Sequence, residues 1–137
     1  KGNKEEMHRI IDWTLPALPE EKPRHLLGIG YLDDMEPIIA RGVDTFDCIT
    51  PTHYARHGIA FTSEGKLDLN KARFLKEHEA LDGICACAVC ASYSRAYIAH
   101  LIRANEITGL RLITYHNVSF WNHRVAEIRE KIARDEI

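Results

Sequence analysis

Three of the chain's four cysteines stand close together, as Cys85-Ala-Cys87-Ala-Val-Cys90, and His116 follows after an intervening stretch. Thiolates at such spacing can converge on one ion, and three thiolates with one imidazole complete a tetrahedral shell for Zn²⁺ that leaves no position for water. The chemistry read from the spacing is therefore a structural zinc site with ligands Cys85, Cys87, Cys90 and His116, not a catalytic one. The competing reading is a group of small buried thiols at a helix start, or a disulfide pair. Cysteines separated by one residue bridge poorly, however, and the rest of the chain shows no disulfide framework. The fourth cysteine, Cys48, stays open between a catalytic thiol, a fourth sulfur ligand in place of His116, and a merely buried side chain.

A second candidate centre is Phe46-Asp47-Cys48, where a carboxylate closes an apolar stretch. An acid at the carboxyl end of a buried parallel strand faces the crevice or barrel mouth where α/β proteins do their chemistry. Aspartates ending strands also serve as caps and turn residues, and Asp44, just before the stretch, suits that plainer role.

The elements that must position these groups alternate in the front half. Residues 5–15 place Met7, Ile10, Ile11 and Leu15 on one helical face, closed by Pro16 and then Pro19 to Pro23. Residues 25–30 read as a short strand ending in glycine, followed by an acidic helix start at Asp33 and Asp34 that runs to about Ala40 and is capped by Gly42. Residues 43–49 read as the next buried strand, so that residues 26–49 make a β-α-β unit with parallel strands. Further on, residues 59–62 and 66–69 flank Ser63-Glu64-Gly65 as a hairpin, and a helix is expected to start near Asn70. Residues 91–104 read as a helix with Tyr93, Tyr97, Ile98, Leu101 and Ile102 available for its buried face. Residues 118–134 read as another, entered through His116, with Arg124, Arg129, Lys131 and Arg134 interleaved with Glu127 and Glu130 on a solvated face.

Composition narrows the classes. A chain of 137 residues that is 45% hydrophobic and 28% charged, with a net charge of -2, can bury one core and has no basic excess to announce nucleic acid. No apolar run approaches the roughly 20 residues that span a bilayer. The start lacks a signal-peptide core and an initiating Met, which points to a cytoplasmic protein and to a fragment of a longer chain.

Several separated motifs together resemble the tRNA-guanine transglycosylases: Leu26-Leu27-Gly28-Ile29-Gly30, Gly42-Val-Asp-Thr-Phe-Asp-Cys48, Pro51-Thr52, Arg56, the hairpin, the Cys85/Cys87/Cys90 group, Ser94-Arg-Ala-Tyr-Ile98 and His116-Asn117. The resemblance covers essentially the whole chain. It implies an α/β fold, the C-terminal part of a (β/α)₈ TIM barrel with a zinc-binding insertion. Residues 1–52 would be the last βα units with the nucleophile strand, 53–115 the hairpin and zinc insertion, and 116–137 a C-terminal helix carrying the last zinc ligand.

The family exchanges guanine at the wobble position of tRNA anticodons for a 7-deazaguanine base in the queuosine pathway, through a covalent ribosyl intermediate. The resemblance makes Asp47 the nucleophile, places Leu27 and Gly28 at the base pocket, and sets Arg56 on the anticodon loop. His53 departs from the arginine that many bacterial and eukaryotic members carry there, and an imidazole offers that RNA contact less charge at neutral pH. The expected cofactor is structural Zn²⁺, and the expected partners are the tRNA anticodon loop, the 7-deazaguanine base and a second subunit in a homodimer or heterodimer, with no membrane. The family's general acid/base comes from its N-terminal half, so the isolated segment is expected to be inactive. The alternative is a non-catalytic, zinc-stabilised RNA-binding or partner-subunit module of the same fold, and a glycosidase-like enzyme sharing only the scaffold is a third class.

Overall fold

The computed structural model describes residues 4–137. They divide into two compact units, one made of the residues up to Ile49 with Ile128–Ile137, the other of Thr50–Glu127.

In the first unit, helix α1 (Lys4–Thr14) carries Glu5 and Glu6 in its first turn, where carboxylates complement the helix dipole. It runs into a single 3₁₀ turn, Leu15–Ala17. Its inward stripe is Met7, Ile11 and Leu15, spaced four apart, whereas Ile10 is 53% exposed and does not share the expected face. A step of one residue swings the side chain about 100° around a helix, which takes Ile10 off the stripe. Strand β1 (His25–Leu26) pairs in parallel with β2 (Thr45–Phe46), His25 opposite Thr45 and Leu26 opposite Phe46. The parallel β-α-β order matches expectation, but both strands are far shorter than read.

The strands stop for local reasons. Gly28 adopts φ +71°, which breaks extended geometry one residue beyond Leu27, and its N–H donates to the Asp47 carboxylate, not to a ladder carbonyl. At the other end, Asp44 accepts from the Arg24 N–H at 2.8 Å, while the amides of Asp44 and Thr45 both donate to the Arg24 carbonyl. Asp44 is thus the turn residue it was expected to be. Helix α2 (Leu32–Ile39) lies between the strands with Asp33 and Asp34 in its first turn. It closes where the Gly42 N–H reaches the Ile39 carbonyl and the Val43 N–H the Ile38 carbonyl. Ile11, Leu15, Ile38 and Val43 form the core of this unit.

The second unit opens with α3 (Thr50–Arg56), a helix the sequence reading did not anticipate. Pro51 sits in its first turn, where no amide is needed. The hairpin is present as β3 (Ile59–Thr62) and β4 (Gly65–Asp68), antiparallel, with Thr62 opposite Gly65. No α-helix starts at Asn70. Its side-chain amide donates to the His57 carbonyl at 2.9 Å, and only a 3₁₀ segment, Ala72–Lys76, follows.

The helix expected over residues 91–104 is two helices, α4 (Ala88–Ser92) and α5 (Arg95–Arg103). The break has a clear cause: Tyr93 is extended, and the Ser94 hydroxyl caps a new helix by accepting the Tyr97 N–H at 3.2 Å. The two tyrosines therefore leave the core, 39% and 45% exposed, and stack on each other at 5.5 Å, while Ile98 and Leu101 are buried as read.

Helix α6 (Ile107–Ala133) begins well before residue 118, so His116 lies within the helix and does not open it. Its inward positions are Gly109, Ile113, His116, Asn117, Trp121 and Ile128. A glycine and two polar residues on that face hide the apolar period that would have revealed the helix. Leu69, Phe74, Leu81, Ile98 and Ile113 are fully buried at the centre of the second unit. Among the described residues no helix is long and apolar enough to cross a membrane.

Candidate functional site

The short helix α4 brings the cysteines together. Cys87 stands at its N-cap, and its sulfur accepts the Cys90 N–H at 3.5 Å, a turn that places the two thiols on one side. His116 arrives from α6 with Nδ1 at 3.8 Å from Cys85 Sγ, 3.5 Å from Cys87 Sγ and 3.3 Å from Cys90 Sγ. All four donor atoms lie within 4.8 Å of one another. A tetrahedral ion with bonds of about 2.3 Å to sulfur and 2.0 Å to nitrogen needs sulfur–nitrogen edges of about 3.5 Å, so the donors already stand at zinc spacing. Cys48 is no part of this group.

Which imidazole nitrogen faces the thiols is fixed by the backbone. His116 Nε2 is 2.7 Å from the Phe61 carbonyl, which can only accept, so Nε2 carries the proton and Nδ1 presents a lone pair. Burial holds the imidazole below its ordinary pKa and therefore neutral. Burial also pushes the Cys90 thiol up to about 12 and Cys85 upward, with the neighbouring cysteines adding to the effect. A divalent cation bound among the sulfurs would supply the charge that thiolates in close contact need.

Three residues that the sequence reading left without a role hold this cluster in place. Asp82, 3% exposed, accepts from the Ser63 amide at 2.8 Å, the Ser63 hydroxyl at 2.9 Å and the Ile84 amide at 3.1 Å, tying the segment before Cys85 to the hairpin turn. Burial alone would raise its pKa, but these donors outweigh it and the carboxyl is held below its usual value. Arg95 donates to the carbonyls of Ala80 and Leu81 and to the Glu77 carboxylate, fixing the same segment from α5. Asn117, fully buried beside His116, accepts the Phe61 N–H and donates to the carbonyls of Pro51 and Ile59, each at 3.0 Å. Composition offered no signal for Asp82 or Arg95. Asn117 carried one: an amide on the inward side of a long helix must find partners.

In the first unit, Asp47 follows directly on β2 and is exposed. Its Oδ1 accepts the Gly28 N–H at 3.0 Å and lies 3.3 Å from His25 Nε2. The Gly28 hydrogen bond holds the carboxyl below its usual pKa against the opposing effect of burial, with His25 adding to the lowering, so the group is an anion across the neutral range. Leu27 beside it is 77% exposed, a large apolar surface next to a carboxylate. Gly30 is required for close approach, because a Cβ there would lie 2.7 Å from Cys48 Cβ and 2.9 Å from the Phe46 ring. On α3, His53 and Arg56 are both exposed, and the His53 ring packs against His57 at 4.7 Å. His25 has no signal of its own in the sequence, although Asp47 lies two residues beyond Thr45 and His25 is the residue that parallel pairing sets opposite Thr45.

The sequence matches the family model described as queuine tRNA-ribosyltransferase over residues 1–137. The chain belongs to this family. It is 46% identical over 134 residues to the queuine tRNA-ribosyltransferase of Bacillus subtilis, covering 98% of this chain and 35% of that protein. It is likewise 46% identical to the proteins of that name from Halothermothrix orenii, with 98% and 36% covered, and Zymomonas mobilis, with 94% and 33% covered. The chain spans about a third of the length of these curated relatives. Membership in the queuine tRNA-ribosyltransferase family agrees with the resemblance carried by the Gly42–Cys48, cysteine and His116-Asn117 motifs.

Proposed function

We propose that this chain is the segment of a tRNA-guanine transglycosylase that carries its nucleophile and its zinc site, and that the complete enzyme exchanges guanine at the anticodon wobble position for a 7-deazaguanine base. The observation that carries the proposal is Asp47: an ionised carboxylate at the end of a parallel strand, its Oδ1 occupied by the Gly28 amide, in a chain belonging to this family. An oxygen of Asp47 attacks ribose C1′. The bond from C1′ to the glycosidic nitrogen breaks, and its electron pair leaves on guanine, which takes a proton from a general acid outside this chain. The incoming base then displaces the Asp47 carboxylate and gives up its own proton, so two displacements retain configuration, as in retaining glycosidases.

In this reading residues 1–52 supply βα units of a (β/α)₈ barrel, and Leu27 and Gly28 line the base pocket beside the nucleophile. Residues 53–115 form the hairpin and zinc-binding insertion, and 116–137 the C-terminal helical part. Arg56 and His53, exposed one turn apart on α3, meet the anticodon loop, where a planar guanidinium can contact bases and phosphates together. Cys85, Cys87, Cys90 and His116 hold one Zn²⁺, whose closed shell fixes the insertion and takes no part in base exchange. The working enzyme is a dimer in the cytoplasm.

The test is exchange of labelled guanine into tRNA, with trapping of a denaturation-resistant enzyme-RNA adduct. In the complete enzyme Asp47→Asn abolishes both while the fold is kept, whereas Asp44→Asn, which alters only the turn at Arg24, still forms adduct. An adduct of normal yield with Asp47→Asn would sink the proposal. The 137-residue chain by itself shows no exchange, because the groups that stabilise the transition state must be held together.

A further inference from the structure

The Asp47 carboxylate is gripped asymmetrically. Among the described residues, both hydrogen bonds it makes to others end on Oδ1, one from the Gly28 amide at 3.0 Å and one from His25 Nε2 at 3.3 Å. The His25 ring is itself fixed at its far side, with Nδ1 2.8 Å from the Thr45 hydroxyl. An ionised carboxylate can only accept, so Nε2 must carry a proton. In the neutral ring Nδ1 is then a lone pair, and the Thr45 hydroxyl donates to it. Thr45, His25 and Asp47 thus form a directed chain of donors across the parallel pair, set by the register that places His25 opposite Thr45.

We propose that His25 is a positioning residue for the nucleophile: held in one tautomer by Thr45, it and the Gly28 amide fix Oδ1 of Asp47, so that Oδ2 is the oxygen that attacks. This rests on the reading of Asp47 as nucleophile. Two donors on one oxygen turn the carboxylate plane to a single orientation and direct the second oxygen's lone pairs outward. A carboxylate held only by Gly28 could rotate about its Cβ–Cγ bond, and only a fraction of its orientations would be aligned for attack. The arrangement leaves ground-state binding of tRNA untouched, because His25 acts through Asp47.

The test has two arms. In long-range ¹⁵N–¹H spectra of this chain, His25 shows the Nε2–H tautomer in its neutral form, and Thr45→Val gives a mixture of tautomers. In the complete enzyme, His25→Leu lowers kcat for base exchange roughly tenfold with KM for tRNA within about twofold, the scale of one charge-assisted hydrogen bond lost from the transition state. His25→Gln, whose amide can again donate to Oδ1, recovers most of the loss. His25 is exposed, so these variants should keep their thermal stability, which is measured alongside. A wild-type Nδ1–H tautomer, an unchanged kcat in His25→Leu, or a change in KM alone overturns the inference. If Asp47→Asn still forms adduct, the nucleophile reading fails and takes this inference with it. If Asp47→Asn is inert and His25→Leu is fully active, only the role given to His25 fails.

Discussion

Asn117 offers the sharpest stability test. It is fully buried and uses its whole side chain, accepting from Phe61 and donating to Pro51 and Ile59, so one amide ties α6 to β3 and to the start of α3. Replacing it with Ala removes three hydrogen bonds worth about 1 kcal/mol each and strands one amide and two carbonyls away from water, for a total of about 3–5 kcal/mol. For a chain of this size that corresponds to a fall in Tm of roughly 10–17 °C. Asn117→Leu fills similar volume without restoring any hydrogen bond, so it should lose nearly as much. Asn117→Asp keeps the acceptor for Phe61 but turns a second anionic oxygen toward two carbonyls, and should be at least as damaging. The assay is denaturant unfolding at fixed free zinc, since bound metal adds its own stabilisation. A loss under about 1 kcal/mol in Asn117→Ala, or wild-type stability in Asn117→Leu, would refute the view that these three hydrogen bonds hold the helix to the hairpin.

Elemental analysis should find one zinc per chain, lost in Cys87→Ser together with order in the segment around Cys85 and several kcal/mol of stability, and kept in Cys48→Ser. Asp82→Ala should cost about 2–4 kcal/mol at neutral pH through the loss of three charge-assisted hydrogen bonds. Because the folded carboxyl is held below its unfolded value of 3.8, its contribution is fully present above about pH 4 and is lost as pH falls through the lower folded value. Acid titration of stability below pH 4 should therefore be shallower in Asp82→Asn than in the wild type.

The Cys85, Cys87, Cys90 group was the most legible part of the chain, because cysteine spacing alone brings the sulfur donors close together. His116 was legible as a candidate ligand but not in its setting. A helix announces itself through apolar periodicity, and α6 spends its inward positions on Gly109, His116 and Asn117. The parallel pair was visible in its order, but its length was not. Strand length here is limited by a positive φ at Gly28 and by a side chain, Asp47, that takes an amide the ladder would otherwise use. The helix over residues 91–104 was overextended because Ser94 looks like any small polar residue until its hydroxyl is seen capping Tyr97. Such a cap is a competition between continuing one helix and starting another.

The hairpin's meeting with α6 has one more consequence. Three outward backbone groups on the side of β3 away from β4, the Ile59 carbonyl and the Phe61 amide and carbonyl, all end on Asn117 and His116. Two helical side chains thereby stand in for a missing neighbouring strand. An edge left open would be a template for pairing with another chain. Here a residue of the candidate metal site also keeps the hairpin from recruiting a stranger. Damage to His116 should therefore be seen in aggregation through β-pairing as well as in zinc content.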